Sequence, residues 1–233
     1  MAERKIPEEL KMKAGFPKPV TAETTYHISM TTCPRENPTI VAALTSLRDS
    51  GYNGGLNVSE DDNQQLGCFR NHHKALTESI ASDADVVGVI PDDMLFTKNW
   101  QYIVEGKINE DNLGSIALYV PKGLGNRYSF KRGWNTCNKG WAGAWGGCYL
   151  FPLKVAKEVV SHPFYLAHLN NELADTEKLL NYEWNKRVDH CIPEVLFQLG
   201  YDQWYYAPSV CEHVGFNSTI GHRYNDADRP YLR

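Results

Sequence analysis

Hydrophobic and polar positions alternate between two periods over the first ninety residues. "TYHISMTT" (Thr25–Thr32) predicts a first strand, and "CPRENP" a polar loop with a proline stop. From Thr39 to Gly51 the apolar residues recur at helical spacing, and Gly51 is placed to end the helix. "GGLNVSEDD" predicts a turn and a short strand ending in Glu60, Asp61 and Asp62. Residues 68–85 predict a second helix. "VVGVI" (Val86–Ile90) is an unbroken, largely β-branched run, which suits a central parallel strand covered on both faces.

The resulting β-α-β-α-β order predicts an α/β fold: a mostly parallel, Rossmann-like open sheet with right-handed crossovers and helices on both faces. In such sheets ligands bind beyond the carboxyl ends of the strands. The polar tips "TTCPREN", "SEDD" and "PDD" all lie at such ends and should converge on one crevice.

The second half is less regular. "SIALYVP" predicts a strand, and residues 122–152 are rich in glycine, aromatic and basic residues. Residues 153–162 and 170–187 predict helices. Asp189 opens a further helix, where an acid can serve as a cap. "QWYYAPSV" predicts a last strand, followed by "CEHVGFNSTIGHR". With no dividing linker, the expectation is a leader over 1–24 and one domain over 25–233.

Composition narrows the function. With 233 residues, 42% hydrophobic and 22% charged, the chain can bury a sizeable core. A net charge of −4 excludes a generic cationic coat for DNA but leaves room for a local basic patch. No apolar run is long enough to cross a membrane, and the N-terminus has no apolar signal core. The cytoplasm is therefore the expected compartment, with no membrane partner. The six cysteines are scattered and form no CxxC pair, which argues against a zinc knuckle.

The candidate chemistry centres on Asp92 and Asp93, which follow Pro91. In isolation Pro-Asp-Asp is good turn chemistry. At the tip of a buried parallel strand, the same carboxylates suit Mg²⁺ or Mn²⁺, hard cations that pair with substrate phosphates. His213 could join such an ion, and Ser218 and Thr219 could donate to phosphate oxygens. Tyr128, Phe130, Trp134, Trp141 and Trp145 lie among Lys122, Arg127, Lys131, Arg132 and Lys139, a combination that suits stacking on a sugar or base beside phosphate.

"ADVVGVIPDDMLFTKNW" resembles the metal-binding segment of GT-A-fold glycosyltransferases. "GAWGGCYLFP" is similar to their glycine loop, and "PSVCEHVGFNSTIGH" to their C-terminal histidine segment. The ordered set runs from about Tyr26 to His222. The last segment is most similar to the class-four branching N-acetylglucosaminyltransferases and to related viral and phage enzymes.

The resemblance implies Asp93 and His213 as metal ligands and Asp189 as the base of an inverting transfer. It implies Thr31, Thr32, Arg35, Asp61, Asp62, Asp92, Gly146, Gly147 and Ser218 around a nucleoside-diphosphate sugar. Pro91 stands where a first acid is often found, so any contact made by that acid is missing. The implied acceptor is a hydroxyl; one candidate is a hydroxylated pyrimidine in phage DNA, others a glycan or a lipid. A nucleotidyltransferase or a non-catalytic sugar-binding relative would use a similar sheet.

Overall fold

The computed structural model describes residues 24–34, 38–62, 66–120, 132–137, 147–170 and 188–214. Their core is a seven-stranded sheet in the order β2-β1-β3-β7-β5-β8-β6. The strands are β1 (Tyr26–Thr32), β2 (Gly55–Glu60), β3 (Val86–Pro91), β5 (Leu113–Ala117), β6 (Gly133–Cys137), β7 (Tyr149–Pro152) and β8 (Asp202–Ala207). β7 pairs antiparallel with β3 and β5, and β6 antiparallel with β8; the other pairings are parallel. Five of the seven strands therefore point the same way, and the sheet is mostly parallel. A second, two-stranded sheet joins β4 (Met94–Phe96) to β9 (Cys211–His213).

Helices cover both faces. On one side α1 (Ile40–Asp49) and α3 (Trp100–Glu105) bury Ala43, Leu47, Trp100 and Val104 against Ile28, Met30 and Ile90. On the other, α2 (Gly67–Ala81), α4 (Leu153–Ser161), α5 (Pro163–Leu169) and α6 (Val188–Gln198) pack on Val87, Val89, Tyr149 and Phe151. The period of two along β3 divides its residues between these cores, and both faces are buried, as its unbroken apolar run predicts.

Gly88 lets β7 approach. A Cβ there would run into the Leu150 side chain and lie 2.6 Å from the Tyr149 carbonyl oxygen. α2 also sits close to the sheet, where Ser79 Oγ donates to Gly88 O at 2.9 Å and lies 2.9 Å from Ser29 Oγ.

The strands and helices expected in the first ninety residues are all present. Six elements were not expected: α3, α5, β4, β6, β7 and β9. α5 begins at Pro163, with the His162 side chain accepting from Phe164 N at 3.3 Å. β6 emerges within the glycine-rich, aromatic stretch, and β4 and β9 are only three residues long. The helix expected over 170–187 lies almost wholly outside the described residues.

Candidate functional site

Three parallel strands end together. Backbone bonds continue the ladder past their tips: Asp61 N donates to Thr32 O and Asp92 N to Thr31 O, each at 3.0 Å. Thr31 is half-buried, and its hydroxyl lies 3.5 Å from Ile90 O. Thr32 Oγ1 donates to Asp92 Oδ2 at 2.6 Å in a buried setting, where Asp92 is 1% exposed. Asn71 on α2 braces the same tip, donating to Thr32 O at 3.2 Å.

Thr32→Val should lower stability by about 1–3 kcal/mol, because a buried carboxylate loses a donor. Chemical denaturation measures this, and an unchanged midpoint would remove the bond from the account.

Asp61 is 6% exposed. Its carboxylate accepts from Leu66 N at 3.2 Å and Gly67 N at 3.1 Å, at the start of α2. Its role visible here is thus to fix the turn into that helix, where negative charge also complements the helix dipole. Asp62 follows it in an exposed turn.

The adjacent carboxylates at the tip of β3 have separate environments. Asp92 turns inward to Thr32. Asp93 meets His213, with Nε2 3.1 Å from Oδ2 and both side chains less than one-fifth exposed. The small sheet makes this meeting possible: Met94 pairs with His213, and Val214 N donates to Asp93 O at 2.8 Å. The Tyr119 ring lies 5.9 Å from the imidazole.

A third group gathers around the glycine turn. Gly147 has φ +61°, a left-handed conformation that glycine adopts without strain. Its amide donates to Asp189 Oδ1 at 3.1 Å across 42 residues of sequence. Asp189 lies in the first turn of α6, one residue after Val188 opens the helix, so it faces a distant loop as well as its own helix end.

Burial pushes the Cys148 thiol well up, with the Cys211 thiol and then the Asp93 carboxylate adding to the effect.

His72 completes the floor of this region. It is buried, and desolvation lowers its pKa to about 3, so the ring is neutral at ordinary pH. Adjacent histidines on a helix, such as those of "NHHK", should face different ways. They do: His73 contacts the Tyr165 hydroxyl at 3.3 Å, whereas His72 packs on Tyr149. No sequence signal separates such a histidine from an ordinary core residue.

Arg35, Gly146 and Ser218 lie outside the described residues, as does most of the basic, aromatic stretch. Trp134 is described, and it packs edge-on against Tyr206 with ring centroids 5.3 Å apart. It is thus partly buried against the core, the common fate of a large aromatic.

No family model matches the chain, and no curated protein does. Solved structures do. A structure of A197 from STIV is 12% identical, with a TM-score of 0.47 over 81% of this chain and 83% of that one. A structure of GalNAc-T7 with UDP, GalNAc and Mn²⁺ is 10% identical, with a TM-score of 0.53 over 82% of this chain and 44% of that one. The chain thus spans less than half of the GalNAc-T7 chain that it matches. At this identity the likeness concerns the fold: a mixed α/β architecture, as the order of elements predicts, and GT-A-like, as the motif resemblance implies.

Proposed function

We propose that this chain is a metal-dependent glycosyltransferase that moves a sugar from a nucleoside-diphosphate sugar to an acceptor hydroxyl. The observation that carries this is the 3.1 Å approach of His213 Nε2 to Asp93 Oδ2 at the carboxyl end of β3. The fold likeness to GalNAc-T7, in a structure with UDP, GalNAc and Mn²⁺, adds support.

The residue pair fits a hard divalent cation. Neighbouring donors on an octahedral ion, each about 2.1 Å from it, lie about 3.0 Å apart. Among the described residues there is no group of three or more His, Cys, Asp or Glu that could hold a metal. Asp93 and His213 would therefore hold Mn²⁺ or Mg²⁺ with water and diphosphate oxygens at the other positions, the usual habit of an ion that works on phosphates.

When bound, the cation supplies positive charge to the departing diphosphate. The protein does the rest. Thr32 fixes Asp92 at the base of the donor cleft. Asp189 accepts the proton of the acceptor hydroxyl, with the Gly147 amide orienting its carboxylate. Attack from the face opposite the leaving group inverts the anomeric centre. Arg35, Gly146 and Ser218 belong to the proposed donor side with Thr31, Asp61, Asp62 and Gly147. Among the described residues no helix is long and apolar enough to cross a membrane, and the proposed setting is the cytoplasm, the host's if the protein is viral.

For the acceptor we favour a hydroxylated pyrimidine in DNA, on the strength of the basic and aromatic residues between Lys122 and Trp145 in an acidic chain.

The test is a thermal-shift screen of nucleoside diphosphates and their sugars with Mn²⁺. A ligand that binds the native state raises the midpoint by mass action, and chelation should abolish the shift. Labelled donor is then offered with hydroxymethylated duplex, unmodified duplex or glycan. Pyrophosphate release from a nucleoside triphosphate would indicate a nucleotidyltransferase instead. Binding without turnover would indicate a non-catalytic relative, and label on glycan alone would remove DNA as acceptor.

A further inference from the structure

Helix α2 places two buried polar residues next to each other, and they serve different parts of the site. Asn71 braces Thr32 on the donor side. His72 lies beneath the glycine turn: a Cβ built on Gly147 would sit 3.7 Å from His72 Cδ2 and 3.9 Å from Val188 Cγ1. The ring stands edge-on to Tyr149, with centroids 6.3 Å apart at 77°. Its Nε2, bonded to that same Cδ2, is buried and has no hydrogen-bond partner among the described residues.

An imidazole nitrogen buried without a partner costs stability that an apolar side chain of similar size would not. Stability alone therefore favours leucine at position 72. A histidine there, against a left-handed glycine whose amide holds Asp189, has a different use.

We infer that His72 is a positioning residue: its flat, polar edge seats the Gly147 turn and, through the Gly147 amide, sets the direction of the Asp189 carboxylate. The catalytic part of this inference rests on Asp189 being the base of the proposed transfer. The positioning part does not.

The experiment compares the full chain with His72→Leu and His72→Gln. Glutamine is flat and can bring an amide nitrogen near the position of Nε2; leucine is branched and apolar. Residue-resolved hydrogen exchange reads the Gly147 amide against the amides of β7. In the Leu variant the thermal midpoint should hold or rise, while Gly147 exchanges about tenfold faster and the β7 amides keep their rates. Its kcat should fall about 10- to 100-fold, more than any rise in donor KM, the effect of a misdirected reacting group. The Gln variant should restore slow Gly147 exchange and most of kcat.

Wild-type exchange of Gly147 in the Leu variant overturns the inference. So does a uniform loss of protection across β7, a Gln variant that fails to rescue, or a Leu variant that does not fold, since the ring is held to be dispensable for stability. Exchange needs no donor. A wild-type chain that binds no nucleoside diphosphate with Mn²⁺ would therefore sink the glycosyltransferase function and still leave the placing of Gly147 by His72 to be judged.

Discussion

Asp93→Ala should reduce metal-dependent donor turnover about a thousandfold or more while leaving the fold intact. The charge stabilisation that the proposed ion would supply is worth several kcal/mol, and each 1.36 kcal/mol is about tenfold in rate. The fold survives because the backbone of Asp93, through its carbonyl bond to Val214 N, is what engages β9. The strand register of Met94 with His213 does not use the carboxylate. His213→Ala should act in the same direction. The check is release of nucleoside diphosphate at limiting Mn²⁺, together with calorimetric binding of the metal–nucleotide pair. Full turnover by Asp93→Ala with metal strictly limiting would place the ion elsewhere.

Asp189→Asn should lower transfer by about two to four orders of magnitude, the range for loss of a general base. The amide oxygen can still accept from Gly147 N, so the turn and the donor cleft remain. Donor affinity should be unchanged. Stability should fall by only about 0.3–1 kcal/mol, the worth of a carboxylate in the first turn of a helix. Steady-state kinetics with donor titration separates these effects. Undiminished transfer would reduce Asp189 to a helix-end and turn residue, and a product with retained configuration would count against a single-base mechanism.

The convergence of the polar strand tips was legible in the sequence because it follows from strand direction. Thr32, Asp61 and Asp92 each stand at the end of a strand recognisable from its pattern, and parallel strands must end on one edge of the sheet. What each carboxylate does there was not legible. Asp61 and Asp92 each open an Asp-Asp pair at a strand end, yet one accepts from the start of α2 and the other from a buried hydroxyl. The antiparallel insertion of β7 between β3 and β5 was also hidden, since its four residues read equally well as part of a glycine-rich loop. β4 and β9 are too short to show a period. They were reached only through the residues beside them, Asp93 and His213. α5 lacks a standard cap, because a histidine side chain takes that role. His72 is the clearest case of what one sequence withholds. The role inferred for it depends on its nearness to a turn 75 positions away, which no spacing rule along a helix can express.

The pairing of β4 with β9 has a consequence for the order of synthesis. Chain emerging from a ribosome can form β1, β2 and β3 and the helices between them from local contacts, and domains tend to acquire structure from the N-terminal side as they are made. Asp93 is present in that early portion, but its imidazole partner is contributed by the last described strand. Closing so long a loop is slow relative to local folding. The nascent polypeptide therefore carries Asp93 without its imidazole partner until residue 213 has been translated and docked, so the ion site proposed above would be complete only with the small sheet.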